Sequence, residues 1–243
     1  RATLVITSEM ALCGHPAEDW LLRTEFIQAC HRALTKLAAQ IQGITLVIGH
    51  PLGADDRLFN TVSIIRDGQL LATYYKNHLN TDLLLDERRY FTPGNQPCTF
   101  ECGDTIFGVT TFSDYQHPEH LQTLRSTNAQ ILLVLDTSPY SLDCQTERQQ
   151  RLRQGTMQTN LPAIYINQVG GQDELVFDGA SFVMNRAGEL VYQLASFQAT
   201  LGLIELHRHQ FVAKPYPQPP DRIESVYMAL KLGLADFILK NKI

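Results

Sequence analysis

The sequence is short of several features that mark large classes of protein. It has no excess of positive charge: 20 lysines and arginines against 25 acidic residues leave a formal charge of −5. That gives no electrostatic footprint for nucleic acid or an anionic membrane surface, so neither is expected as a partner. No apolar run approaches the roughly 20 residues needed to span a bilayer, and no basic stretch leads into an apolar signal core at the N-terminus. A soluble, cytoplasmic protein is expected. Internal repeats are absent. The five cysteines (Cys13, Cys30, Cys98, Cys102, Cys144) are an odd number scattered along the chain, which argues against a disulfide framework and for free thiols. Cys98 and Cys102 lie close together, but no second Cys/His pair at zinc spacing completes a site, and the eight histidines are dispersed. No metal site is expected from these spacings.

What is present is a patterned globular chain of 243 residues, 44% hydrophobic and 19% charged, long enough for one large domain and a tail. "RATLVITSEMALCG" reads as a buried strand leaving into a loop at Ser8-Glu9. "AEDWLLRTEFIQACHRALTKLAAQIQ" has apolar residues at helical spacing, and "ITLVIGHP" returns to a strand. "RLFNTVSIIRDGQLLATYYK" reads as a hairpin turning at Asp67-Gly68, and "CTFECGDTIFGVTTF" as another turning at Gly103-Asp104. Two helix-then-strand segments follow, "HLQTLRSTNAQILLVLDTSP" and "TERQQRLRQGTMQTNLPAIYINQV", and "ASFVMNRAGELVYQL" and "ATLGLIEL" are expected to close the sheet region. This alternation implies a mixed α/β sheet covered by helices. Residues 1–212 form the expected domain. In residues 213–243 a Pro-rich connector, "AKPYPQPP", leads to a helix capped by Asp221, with Glu224 three residues on. Its apolar stripe (Ile223, Val226, Tyr227, Leu230, Leu234, Phe237, Ile238) needs a surface to cover, its own sheet layer or a second copy, and a homo-oligomer is expected.

Three positions stand where expected strands end: Glu9, Lys76 and the elbow Phe112-Ser113-Asp114. A carboxylate and an amine beside a nucleophile make a base, an oxyanion stabiliser and an attacking group. Taken singly, a loop Glu or Lys is more often a solvated charge or a structural ion pair.

"SEMALCGHPAEDWLLR", "YYKNHLNTDLLLDERRYFTPG", "LVLDTSPY" and above all "LPAIYINQVGGQDELVFDGASFVMNRAGEL" together resemble the amidase domain of glutamine-dependent NAD synthetases, in the nitrilase or carbon-nitrogen hydrolase superfamily. The resemblance implies an alpha-beta-beta-alpha sandwich and a Glu-Lys-Cys triad hydrolysing glutamine, with ammonia passed to an ATP-dependent synthetase domain. It places Glu9 at the general base, Lys76 at the oxyanion-stabilising position and Glu87 at the second carboxylate near that lysine. The position of the nucleophilic cysteine falls on Phe112. Other positions of the implied glutamine pocket also depart from the family pattern: His15 and Asp82 stand where tyrosines are expected, Ser113 where a glutamate follows the nucleophile, and "SLDC" after Ser138 where a lysine motif is expected. The family's first strand and helix are expected to be missing ahead of Arg1. The family's pyrophosphate loop "SGGxDS" is not found through Ile243, so ATP and Mg belong to a synthetase domain outside this sequence and no cofactor is expected here.

A benzyl side chain has neither lone pair nor acidic proton, so the family's covalent route is closed at Phe112. The leading expectation is a non-catalytic, nitrilase-fold module serving NAD synthesis from deamido-NAD. Two rivals stand beside it: an amidase using Ser113 or Cys144 as a relocated nucleophile, and a domain that binds a metabolite without cleaving it. Glu9, Lys76 and Glu87 could also persist only because a buried ion pair is costly to break.

Overall fold

The computed structural model describes residues 2–81 and 86–243. Asp82, one of the expected pocket positions, lies outside the described residues.

β1 (Leu4–Ile6), β2 (Thr45–Ala54), β3 (Arg57–Arg66) and β4 (Gln69–Tyr75) make one sheet in that order, with β1 parallel to β2 and the rest antiparallel. Its hairpin turns at Asp67-Gly68, where both residues have positive φ (48° and 78°). This is the backbone that a tight two-residue turn requires. The second sheet has six strands: β5 (Cys98–Cys102), β6 (Thr105–Thr111), β7 (Ile131–Leu135), β8 (Ala163–Ile166), β11 (Phe182–Met184) and β12 (Leu190–Gln193), ordered β12-β11-β8-β7-β6-β5. β6, β7 and β8 run parallel, and α3 (Pro118–Ser126) and α4 (Cys144–Thr159) make the crossovers between them.

The apolar runs of the strands are explained by burial on both faces. Val47, Val62, Ile64 and Tyr74 from the first sheet pack on Phe107, Val109, Ile131, Leu133 and Leu135 from the second, forming the layer between the sheets. The alternate residues face outward onto helices. Leu46, Ile48 and Ile65 meet Leu34 and Leu37 of α1 (Thr24–Ala38), while Leu132 and Val134 meet Leu121 and Leu124 of α3 and Leu152 of α4. Helix, sheet, sheet, helix is the sandwich expected from the sequence.

Three expectations change. The first helix is broken: Glu18–Leu22 form a 3-10 turn and Arg23 is extended (φ −96°, ψ 116°) before α1 begins, leaving Trp20 and Leu22 exposed. "ATLGLIEL" forms no strand across residues 199–205 and leaves Leu201 90% exposed; only Leu206–His207 pair, with Gln210–Phe211. Backbone pairing requires a neighbouring edge, and apolar composition does not supply one. The tail helix α5 (Arg222–Asn241) is capped as expected, with Asp221 Oδ1 accepting from the backbone N–H of Ile223 and Glu224. Its packed face, however, is not the apolar stripe. It lies on the hairpin of β9 (Val169–Gln172) and β10 (Leu175–Asp178) through Gly233, Asp236 and Lys240. A Cβ on Gly171 would come within 2.9 Å of the Gly233 Cα, so small residues set this approach. Ile223, Tyr227, Leu230, Leu234 and Phe237 are left on the exposed side.

Candidate active site

Glu9, Lys76 and Phe112 each follow the last residues of a strand: β1, β4 and β6. Glu9 is pressed against β2, since a Cβ on Gly49 would lie 2.8 Å from the Glu9 Cα. Glu87 comes from the 3-10 turn Glu87–Arg89. Lys76 Nζ lies 2.9 Å from Glu9 Oε1 and 2.7 Å from Glu87 Oε2, with all three side chains buried. Asn60, on β3, donates Nδ2–H to both carboxylates, at 2.6 Å to Glu9 and 2.9 Å to Glu87, and the Asn80 backbone N–H completes the shell on Glu87 at 2.8 Å.

Removal from water penalises every charge in this cluster, and the outcome differs by residue. Burial alone would release the Lys76 proton, but the two carboxylates outweigh it and hold the ammonium above its ordinary range. Burial pushes Glu9 up to about 7; Lys76 opposes this, and the negative charges of Glu87 and Asp136 reinforce it. The two upward shifts are compatible, because one ammonium between two carboxylates leaves a single negative charge that a proton neutralises. A carboxylate titrating near neutrality is well placed as a general base. A carboxylate able to take up a proton and a permanently charged ammonium are therefore assembled side by side.

The elbow is different. Phe112 opens α2 (Phe112–Tyr115) and is 5% exposed, its ring set edge-on to Tyr165 at 5.2 Å. Ser113 points its hydroxyl to the His78 carbonyl (2.8 Å) and to Asn80 Oδ1 (2.9 Å), where it joins two loops. Cys144 is buried at the start of α4, with the Arg148 guanidinium 3.0 Å from Sγ; Arg148 in turn pairs with Asp178. Burial pushes that thiol up despite the guanidinium, away from the reactive thiolate. Ser138 donates to Asp136, which also accepts from Tyr165, so it is held within a side-chain network behind Phe112. His15 sits edge-on to Phe177, and burial lowers it to about 4, so it is neutral at physiological pH. Of the three main cavities among the described residues, the largest, about 940 Å³, runs along β1 and the second sheet. Glu9, Lys76, Glu87 and Phe112 do not line this cavity.

"NQVGGQDELVFDG" acts as a clamp within the chain. Asn167 donates to the Ser138 carbonyl (3.0 Å), Gln168 to the His15 carbonyl (3.1 Å), and Asp178 receives Arg148. Gly171 N–H bonds Asp236 of α5 at 2.7 Å. The motif thus also carries the contact with this chain's own tail helix. Sequence reasoning missed Asn60, Asp136 and Tyr165. A polar Asn inside the apolar strand "RLFNTVSII" was the available signal for the first. It also missed a cluster outside the triad, where the fold brings His78 together with His117 and Glu119 on one side and with Asp114 and His120 on the other.

The chain belongs to the carbon-nitrogen hydrolase family, whose pattern it matches over residues 1–228. It is 33% identical over 243 residues to a glutamine-dependent NAD(+) synthetase from Acinetobacter baylyi, covering 99% of this chain and 45% of that protein. A solved glutamine-dependent NAD+ synthetase from Acinetobacter baumannii superposes with a TM-score of 0.93 at 32% identity, covering 98% of this chain and 45% of the other. An amidase of the nitrilase superfamily from Nesterenkonia superposes with a TM-score of 0.70 at 25% identity, covering 80% of this chain and 74% of the other. The chain thus spans less than half the length of the NAD synthetases it is similar to.

Proposed function

We propose that this chain is the glutaminase-like part of an NAD synthetase in which amide hydrolysis has been lost, and that it serves as a structural and assembly module for an ATP-dependent synthetase domain making NAD from deamido-NAD. Phe112 carries this reading. It takes the position from which a nucleophilic cysteine would attack the glutamine amide, and its ring is buried against Tyr165. Glu9 can accept a proton and Lys76 can steady an oxyanion, but nothing between them can form or release an acyl group. The relocated-nucleophile reading fares worse. Ser113 is committed to the His78 carbonyl and Asn80, and Cys144 is a buried thiol tied to Arg148 and Asp178.

The exposed stripe Ile223, Tyr227, Leu230, Leu234 and Phe237 supports a two-fold pairing of α5 with a second copy. Five free cysteines fit a reducing compartment, and we place the protein in the cytoplasm. No helix among the described residues is long and apolar enough to cross a membrane. The Glu9-Lys76 cluster needs no cofactor in this role; ATP and Mg are assigned to the synthetase domain. We keep residues 1–212 as the hydrolase-fold unit and 213–243 as its connector and docking helix.

The test is hydrolysis. Purified protein should release no ammonia from glutamine above the uncatalysed rate, and a glutamine-like electrophile should leave no adduct detectable by mass spectrometry. Stoichiometric labelling of Cys144, or turnover of glutamine, overturns the proposal.

A further inference from the structure

We propose that His78, His117 and Glu119 form a binding site for a divalent transition-metal ion on the outer side of the elbow. His78 lies in the loop after β4, His117 caps α3 and Glu119 stands in its first turn. One ligand atom from each lies within 4.8 Å of the others. Donors on a tetrahedral zinc, bound at about 2.0–2.2 Å, sit roughly 3.3 Å apart. A turn of the half-buried His117 ring out of its stack on His78, and a rotation of the exposed Glu119, supply the difference.

What distinguishes this cluster from a chance group of polar side chains is the support behind it. Asp114 is fully buried and fixed by the hydroxyls of Tyr74 (2.5 Å) and Thr111 (2.7 Å) and by the backbone N–H groups of Asn77 and His78. Its Oδ1 is also 2.8 Å from His78 Nδ1. A carboxylate at Nδ1 keeps the proton there and turns the Nε2 lone pair outward, the arrangement that orients metal-binding histidines. His117 stacks on the same ring, with centroids 3.7 Å apart and planes 11° apart, so the two imidazoles are adjacent, and binding one ion requires His117 to turn out of the stack so that both lone pairs converge. A second grouping, His78, Asp114 and His120, is less suited to an ion. Both His120 ring nitrogens have partners, Thr110 Oγ1 at 2.9 Å and Asn77 Nδ2 at 3.4 Å, and Asp114 already accepts from five groups. His120 forms the wall and Asp114 the support.

With neutral imidazoles, Asp114 and Glu119 bring two negative charges to the site, more than the half-charge of the α3 N-terminus that opposes a cation. Two imidazoles and one carboxylate with a solvent-facing side suit zinc, cobalt or nickel better than magnesium or calcium. The ion would join the loop after Lys76 to the helix after the elbow.

Untagged protein stripped with a chelator should take up one equivalent of zinc in competition with a chromogenic zinc indicator, and zinc should raise its melting temperature. His117→Ala and Glu119→Gln, both toward the surface, should each weaken binding at least about tenfold. His31→Ala, at an exposed position on α1, should leave it unchanged. Absence of stoichiometric binding, affinity unchanged in both site variants, or an equal loss in His31→Ala overturns the proposal.

Discussion

Replacing Lys76 by methionine tests whether the buried cluster is a structural unit. The substitution keeps most of the stem and removes the only cation within 4.0 Å of Glu9 and Glu87 among the described residues. Breaking a buried pair by removing one partner costs about 3–5 kcal/mol, because the remaining charge is stranded. Here two carboxylates are stranded and only Asn60 and one backbone N–H remain to satisfy them, so the upper end is expected. For a domain of this size that corresponds to a fall of roughly 6–20 °C in melting temperature. Urea unfolding measures the free energy, and the pH dependence supplies a second reading. Burial already holds Glu9 above its unfolded value and Lys76 opposes it; without the lysine, the stability Glu9 contributes is full below the ordinary value of 4.5 and lost as pH rises, so the variant's deficit should widen upward from there. Adding Glu9→Gln and Glu87→Gln removes the stranded charges and should recover most of the loss, since replacing a whole buried ionic group is often nearly neutral. A cost below about 1 kcal/mol for Lys76→Met, or a triple variant no better than the single one, would refute the reasoning.

Other outcomes follow from the same geometry. Phe112→Cys should restore no glutaminase activity, because Ser113 and His15 still depart from the implied pocket, and it should lose up to about 3–5 kcal/mol of packing against Tyr165; ammonia release by this variant would show a far better preserved pocket. Light scattering at micromolar concentration should report a dimer, and a monodisperse species at 27.4 kDa would remove the pairing of α5. Leu230→Glu, on its exposed stripe, should dissociate that dimer without unfolding the chain. In the parent protein, Glu9 protonation contributes stability below 4.5 that is lost as pH rises to about 7, whereas neutral His15 contributes stability above 6.5 that is lost as pH falls to about 4. Glu9→Gln should therefore leave a profile that rises with pH across that interval, and urea midpoints that stay flat would contradict both assignments.

The strands, helices and hairpins were legible in the sequence because their signals are local, whereas the division into two facing sheets was implied only by the family resemblance. Asp67-Gly68 adopts the turn its residue types favour, and runs such as "ILLVL" are apolar at every position because each strand is covered on both faces. The site residues were legible only through resemblance, since nothing near Glu9 in sequence announces Lys76 or Glu87, 67 and 78 residues away. The errors have physical causes. Of the two surfaces expected for the stripe on α5, its own sheet layer is not the one it covers: the contact within the chain is the one that Gly171 and Gly233 permit, a close approach of small residues that periodicity does not reveal. The histidine cluster was invisible because His78 and His117 meet only when β4 and α3 are brought to the same end of the sandwich.

If position 112 once held the nucleophile, as proposed above, the same end of the fold explains why its loss need not erode the surroundings. Asp114 accepts from Tyr74, Asn77 and His78, all flanking Lys76, while Ser113 reaches His78 and Asn80, and Asn80 N–H holds Glu87. The elbow is thus bonded to the loop that carries the lysine and its second carboxylate. A cysteine side chain at position 112 takes no part in that network, so it can be exchanged for a packing residue without breaking any of these bonds. Glu9, Lys76 and Glu87 have no such freedom, because each loss strands a buried charge or donor. On the proposed reading, selection for folding alone is enough to retain the lysine and both glutamates at a site without a cysteine nucleophile. Their presence therefore does not imply activity, which rests on the chemistry of position 112.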